Sequence, residues 1–133
     1  MRKIEHIGIA VKDMQAATKI YSTLLGHPHY KTEEVAGEAV NTAFFTCGES
    51  KIELLEATDP DSAIAKFIDK KGEGMHHIAF AVDDIKSETQ RLKKEGFVVL
   101  NEEPKIGADN KWVVFLHPKS SNGVLVELCQ ERN

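Results

Sequence analysis

The sequence predicts an α+β fold built from two tandem βαβββ modules whose strands form a curved, half-barrel-like mixed sheet. A repeat carries this prediction, because residues 6–11 (HIGIAV) return as residues 77–82 (HIAFAV), 71 positions later from His6 to His77. Residues 51–55 (KIELL) likewise return as residues 125–129 (LVELC), 74 positions later from Glu53 to Glu127. Each module therefore opens with a strand that carries a histidine and closes with a strand that carries a glutamate.

The length and composition fit one globular domain. The chain has 133 residues, of which 41% are apolar and 29% charged, and this suffices for a buried core. We expect a single domain over residues 1–133. Its first module should span about 1–57, its connector 58–73 and its second module about 74–133.

Charge and cysteine content narrow the class of protein. The net charge of −4, with both signs scattered along the chain, argues against a nucleic-acid partner. No apolar run is long enough to span a bilayer and no signal peptide precedes the first strand, so we expect a cytoplasmic protein without a membrane partner. Cys47 and Cys129 form no disulfide framework, and we interpret both as small buried apolar residues.

The opening strand of the first module alternates between two faces. Bulky side chains occupy positions 7, 9 and 11 and should pack on a helix, whereas His6, Gly8 and Ala10 face the other way. A histidine among such small residues can border a cavity, which a tightly filled core does not provide. The second module repeats the pattern, with His77 on a face that carries two alanines.

The other elements follow from caps, spacing and turn residues. Asp13 caps a helix that Gly26 ends, and Asp84 caps an equivalent helix that Gly96 ends. The inward stripes of these helices are predicted at Ala17, Ile20, Tyr21 and Leu24, and at Ile85, Thr89 and Leu92. Further strands are predicted at 29–35, 39–46, 51–56, 75–82, 97–100, 111–116 and 124–129, with a connector helix that begins near 58 and a polar loop at 101–110.

Two imidazoles and two carboxylates at equivalent places point to a metal site. If His6, Glu53, His77 and Glu127 lie on the concave faces of the paired modules, they converge as suitable ligands for a divalent metal ion. Both glutamates stand between apolar neighbours, where a carboxylate is costly to bury unless it is paired or bound to metal. One such glutamate alone would more simply face water, but two, each matched with a histidine, favour the metal site.

The other polar candidates have simpler explanations. Four histidines fit core or surface side chains whose hydrogen bonds are satisfied: His27, His29, His76 and His117. Three lysines in or beside loops fit solvated charges, although they could reach the phosphates of a ligand: Lys105, Lys111 and Lys119. The sequence contains no Gly-rich phosphate loop and no serine-nucleophile motif.

Six stretches carry a resemblance to a known family: HIGIAV at 6–11, IELLE at 52–56, GMHHIAF at 74–80, PKIG at 104–107, FLHPK at 115–119 and GVLVEL at 123–128. On these stretches the chain resembles the vicinal-oxygen-chelate (glyoxalase/bleomycin-resistance) superfamily and, within it, the methylmalonyl-CoA epimerases. The histidine and glutamate strands are shared by the whole superfamily. The stretches GMHHI, LHPK and GVLVEL are more specific to the epimerases.

The resemblance implies an isomerase that equilibrates the C2 epimers of methylmalonyl-CoA, an acyl-CoA substrate, through a metal-stabilised enolate. It implies metal ligands at His6, Glu53, His77 and Glu127, with Glu53 at a position that is Gln in some relatives. It also implies that Glu127 is the catalytic residue that takes the C2 proton. The implied cofactor is a divalent metal ion, cobalt first, with Mn, Ni, Zn or Fe as alternatives, and the implied assembly is a homodimer.

The second proton-transfer group and two rival functions stay open. Where some family members carry a further glutamate this chain has Thr42, so Glu34, Glu38 or a coordinated water could take that role. A glyoxalase I-type lactoylglutathione lyase would use the same four ligands, but the LHPK and GVLVEL stretches disfavour it. A metal-free small-molecule-binding module of the same superfamily would be expected to lose ligands, whereas this chain keeps all four.

Overall fold

The structure is a computed structural model that describes residues 1–133. The chain forms eight strands and three α-helices, which confirms the predicted α+β class. The strands are β1 (Lys3–Ala10), β2 (Lys31–Val35), β3 (Val40–Cys47), β4 (Ser50–Ala57), β5 (Gly74–Ala81), β6 (Lys105–Gly107), β7 (Lys111–Leu116) and β8 (Val126–Glu131). The helices are α1 (Met14–Leu25), α2 (Ala63–Lys71) and α3 (Ile85–Lys94). None of the three has the length and apolar character that crossing a membrane requires.

The chain divides into two compact units. The first unit, His6–His76, has the strand order β2-β3-β4-β1, in which β1 and β4 are parallel. The second unit, Met1–Glu5 with His77–Asn133, has the strand order β5-β8-β7-β6, in which β5 and β8 are parallel. Both units therefore follow the same βαβββ plan, which is the repeat that the sequence predicts.

The two units attach their long helices in the same way. Asp13 caps α1 and Asp84 caps α3, as predicted, and each carboxylate accepts a hydrogen bond from a backbone N–H in the first turn. The first N–H of α1 donates to Glu56 of β4 at 2.8 Å, and that of α3 donates to Gln130 of β8 at 2.7 Å. A polar side chain of the closing strand therefore ties the start of each helix to the sheet.

The inward stripe of α1 differs from the predicted one. The helix packs on the bulky face of β1, but Ile20 and Leu24 are 63% and 70% exposed. Ala17 and Tyr21 face inward as predicted, and Met14 and Leu25 complete the stripe. Sequence spacing fits either stripe, and the hydrogen bond that holds the start of α1 on β4 selects between them.

Residues 97–100, predicted as a strand, form none in the structure. Phe97 and Val99 pack into the apolar cluster beneath α3, and Val99 forms only an isolated bridge to β7. The amide of Asn101 occupies the edge of β7 instead, where its Oδ1 accepts from the backbone N–H of Phe115 at 2.8 Å. β6 then forms within the predicted loop. Phe97 and Val99 are thus apolar because they pack under α3, and residues 97–100 do not form a strand ladder of backbone hydrogen bonds.

The connector helix α2 covers one end of the first unit's sheet. It begins at Ala63 with Ser62 as its cap, a few residues later than the predicted start. Ile64 of α2 is buried with Ala10 of β1 and Leu55 of β4. The second unit has no equivalent helix, so α2 is the main difference between the two repeats.

The close approach of β6 to β7 is testable at Gly107. A Cβ added there would lie 2.8 Å from a methyl carbon of Val113. Gly107→Ala should therefore lower the free energy of unfolding by about 1–3 kcal/mol, because valine on a strand has little freedom to move aside. In a Val113→Ala background the same substitution should cost less than about 0.5 kcal/mol. Urea unfolding of the four chains measures the difference, and equal costs in both backgrounds would contradict the contact.

Candidate metal centre

The first unit brings His6 and Glu53 together. In the parallel pairing of β1 with β4, Glu53 lies opposite Gly8, and His6 precedes Gly8 by two residues on the same face. His6 Nδ1 lies 3.1 Å from Glu53 Oε2, and the two side chains are only 5% and 4% exposed. The first unit therefore holds a buried imidazole–carboxylate pair.

The second unit brings His77 and Glu127 together in the same way. Glu127 of β8 lies opposite Ala79 of β5, and His77 precedes Ala79 by two residues. His77 Nε2 lies 3.3 Å from Glu127 Oε1, and the side chains are 6% and 8% exposed. In each unit we call the face of the sheet that carries this histidine and glutamate the ligand face.

The neighbour of each glutamate on the opening strand is small. Glu53 has Gly8 beside it and Glu127 has Ala79, which is fully buried. A bulky side chain at either place would fill the space beside the carboxylate, because directly paired residues on one face of a sheet are in contact. The small residues noted in the sequence therefore leave room next to the two carboxylates.

The neighbour of each glutamate on the other side is a phenylalanine. Phe44 pairs with the first glutamate and Phe115 with the second. Lys31 Nζ lies 4.9 Å from the centre of the Phe44 ring, and Lys105 Nζ lies 5.3 Å from that of Phe115. The sequence did not single out Phe44, Phe115 or Lys31, because only the register of the outer strands places them. It gave Lys105 only as a loop charge that could reach the phosphates of a ligand. The signal available was the spacing of 71 positions between the two phenylalanines.

The two pairs fit the geometry of metal ligands. Imidazole nitrogens and carboxylate oxygens lie about 2.0–2.2 Å from an ion such as Zn²⁺, so two such atoms at right angles are about 3 Å apart. The N···O separations of 3.1 and 3.3 Å agree with this value. A cation would also offset the cost of burying each carboxylate. Each unit thus presents one imidazole and one carboxylate that can bind a divalent cation.

Other histidines make structural contacts. His76 is partly buried edge-on against Phe67 of α2, with ring centres 4.9 Å apart. Burial lowers the pKa of His76 below its ordinary value, and the negative charge of Glu38 partly offsets this. His117 caps a 3₁₀ turn, where its Nδ1 accepts from the backbone N–H of Lys119 at 3.0 Å. These contacts agree with the structural roles predicted for His76 and His117.

Two sequence interpretations of single residues were wrong. Cys129 is buried as predicted, but Cys47 is exposed, because it is the last residue of β3 before a tight turn. Lys111 was expected to be a solvated charge, yet its side chain is 7% exposed and donates to Glu131 at 2.6 Å. The aliphatic part of this lysine is covered while its ammonium group reaches a carboxylate at the surface.

The groups considered for the second proton transfer occupy different places. Thr42 lies on the ligand face of the first unit, two residues before Phe44, and is fully buried. Glu34 pairs with Asn41 and so lies on the opposite face. Glu38 lies in a 3₁₀ turn outside the strands. Neither of these two carboxylates is therefore on a strand of the ligand face.

Comparisons with known proteins agree on one family. The model of the Glyoxalase/Bleomycin resistance protein/Dioxygenase superfamily matches residues 5–115. The mitochondrial methylmalonyl-CoA epimerase of Homo sapiens is 43% identical over 129 residues, which cover 96% of this chain and 73% of that protein. The ethylmalonyl-CoA/methylmalonyl-CoA epimerase of Cereibacter sphaeroides is 43% identical over 130 residues, with 96% and 97% covered.

A solved structure is similar over nearly the whole chain. It is a variant of Streptomyces coelicolor methylmalonyl-CoA epimerase in complex with 2-nitronate-propionyl-CoA. The TM-score is 0.92 at 36% sequence identity, and the match covers 98% of this chain and 95% of that one. Fold and sequence therefore point to the same relatives.

The buried pair of the first unit is testable without metal. In protein kept in chelator, His6→Ala and Glu53→Ala should each destabilise the fold by about 2–4 kcal/mol, because each leaves a buried polar partner behind. The double variant should cost about 1–3 kcal/mol less than their sum. Denaturant unfolding measures this coupling. His6→Ala combined with Glu56→Gln, on the opposite face of β4, should be additive, and additivity for His6 with Glu53 would contradict the contact.

Proposed function

Because the chain belongs to the methylmalonyl-CoA epimerase family, within the Glyoxalase/Bleomycin resistance protein/Dioxygenase superfamily, we propose that it interconverts the C2 epimers of methylmalonyl-CoA. The buried imidazole–carboxylate pair in each unit is the observation that carries the proposal. The reaction removes an acidic proton from a carbon beside a thioester and returns a proton to that carbon. Buried carboxylates and a cation are suitable groups for this chemistry.

His6, Glu53, His77 and Glu127 are proposed to hold one divalent cation, with cobalt as the first choice and Mn, Ni, Zn or Fe as alternatives. The matching N···O separations in the two pairs support this, as does a donor set that suits divalent transition metals. When bound, the ion would stabilise the negative charge that develops on the thioester oxygen as the C2 proton leaves.

Glu127 is proposed as the base that takes the C2 proton. His77 contacts its carboxylate and orients it, and Ala79 leaves space beside it. Phe115, on the neighbouring strand, places an apolar ring on its other side. Shielding from bulk water favours this role, since it strengthens electrostatic interactions and protects the deprotonated substrate from stray protonation.

The proposed partner is an acyl-CoA substrate rather than a nucleic acid or a membrane. The solved relative binds 2-nitronate-propionyl-CoA, which supports an acyl-CoA for this chain as well. The homodimer and the cytoplasmic location stay predictions. The same is true of the single domain over residues 1–133.

Metal content tests whether the two pairs share one ion. Purified protein loaded with cobalt and dialysed should retain about one ion per chain, as expected for a four-ligand site. His6→Ala and His77→Ala should each lose almost all of it, because each removes a ligand of the same ion. Elemental analysis gives the stoichiometry, and His76→Ala is the matched control that should keep the metal. Retention of the ion by either ligand variant would contradict a shared site.

Replacing Glu127 tests the base. Glu127→Gln should abolish exchange of the C2 proton of methylmalonyl-CoA into deuterated water, a loss of at least about 100-fold, because it removes both the base and a metal ligand. NMR of the substrate follows the exchange, and circular dichroism checks the fold. Glu131→Gln, on the same strand but largely exposed, should exchange at the normal rate. Near-normal exchange in Glu127→Gln would remove Glu127 from the mechanism.

A further inference from the structure

One more carboxylate lies on the ligand face of the first unit. Glu33 of β2 is the direct register partner of Thr42 of β3. Thr42 lies two residues before Phe44, and Phe44 pairs with Glu53. Side chains of paired residues share a face of the sheet, and so do the side chains of every second residue on a strand. Glu33 is therefore on the same face as Glu53.

The other strand carboxylates of the first unit lie elsewhere. Glu34 pairs with Asn41, and Asn41 pairs with Glu56 of β4, so these three side chains share the opposite face. Glu56 is already bound to the start of α1. Apart from Glu53, which contacts His6, Glu33 is therefore the only glutamate that the strands of this unit place on the ligand face.

The neighbour of Glu33 has an unsatisfied hydroxyl group. Thr42 is 0% exposed, and its Oγ1 makes no hydrogen bond. Buried hydroxyl groups nearly always have a partner, because leaving one without a partner costs about 1–3 kcal/mol. Thr42 therefore offers a buried hydroxyl donor on the ligand face, directly beside a carboxylate.

The packing around this row leaves one side open. Ala10, Leu55, Thr42 and Glu33 follow one another across β1, β4, β3 and β2 as register partners. Helix α2 packs on Ala10 and Leu55, which closes that end of the row. Glu33, at the other end, is 35% exposed. Its carboxylate can therefore exchange protons with solvent and still turn towards the ligand face.

A cation on the same strand lies close to Glu33. Lys31 Nζ is 3.7 Å from Glu33 Oε1 and 4.9 Å from the centre of the Phe44 ring. Lys31 and Phe44 are register partners, so both belong to the row next to that of Glu33. The ammonium group, which is held over the ring, favours a position of the Glu33 carboxylate on the ligand face rather than in bulk solvent.

We propose that Glu33 is the second proton-transfer group of the reaction, and that the Thr42 hydroxyl donates a hydrogen bond to its carboxylate when substrate is bound. The proposal rests on the epimerase function. For one epimer, Glu127 takes the C2 proton, and the C–H electron pair moves into the enolate. The carboxylic acid of Glu33 then donates its proton to C2 on the other face. For the other epimer the roles reverse, and exchange with water resets both carboxyl groups.

The test separates removal of the proton from inversion at C2. Metal-loaded Glu33→Gln is incubated with each epimer of methylmalonyl-CoA in deuterated water, and both deuterium at C2 and the ratio of epimers are followed. Epimerisation should fall at least about 100-fold, as expected on loss of a general acid–base group. Exchange with retained configuration should persist for the epimer whose proton Glu127 removes. Glu34→Gln, one residue along on the opposite face, should behave like the unsubstituted chain.

Each other outcome has a definite meaning. Near-normal epimerisation by Glu33→Gln would overturn the proposal. Equal loss of exchange from both epimers would also overturn it, since Glu33 would then act on substrate binding or on the fold. If neither the unsubstituted chain nor Glu34→Gln epimerises methylmalonyl-CoA, the proposed function itself fails.

Thr42→Val provides an independent measurement. It keeps the shape of the side chain and removes the hydroxyl group. Its thermal unfolding midpoint should be equal or higher, while the rate of epimerisation should fall about tenfold, the effect of losing a hydrogen bond to a charged group. A fall in stability together with unchanged activity would show a purely structural role for Thr42 and would contradict its part in the proposal.

Discussion

Both units depend on a contact between an imidazole and a carboxylate on neighbouring parallel strands. Either group alone would be costly to bury among apolar residues, so the two must be brought into register. A shift of one residue between the strands would turn the glutamate towards the helix and place a leucine on the ligand face. Leu54 and Leu128, both fully buried on the helix side, oppose such a shift. The packing of the core thereby fixes the position of the polar pair.

Duplication repeats more than the pair itself. In each unit the glutamate stands between a small residue and a phenylalanine. A lysine lies over the phenyl ring in both units, but from different register positions, since Lys31 pairs with Phe44 whereas Lys105 pairs with Val113. In each unit the closing strand also binds the first N–H of the helix, through Glu56 or Gln130. The strand that presents the glutamate on one face thus anchors the helix on the other. Register, helix position and ligand position are therefore coupled.

The two copies differ at one equivalent place on the ligand face. In the first unit Thr42 pairs with Glu33, and α2 packs on the other end of the row to which this pair belongs. In the second unit the corresponding pair is Val113 with Lys105, and no helix equivalent to α2 exists. The same backbone plan thereby carries an anionic group in one copy and a cationic group in the other.

The sequence by itself determined the α+β class, the repeat and the helix caps, together with the site candidates His6, Glu53, His77 and Glu127. These features follow from hydrophobic period, capping residues and repeated motifs, each of which can be recognised within a short stretch of the chain. Only the tertiary structure decided which stripe of α1 faces inward, where β6 forms and that Cys47 is exposed. It also placed Glu33, rather than Glu34, on the ligand face. These outcomes depend on strand register and on hydrogen bonds between residues far apart in the sequence, and local pattern does not encode them.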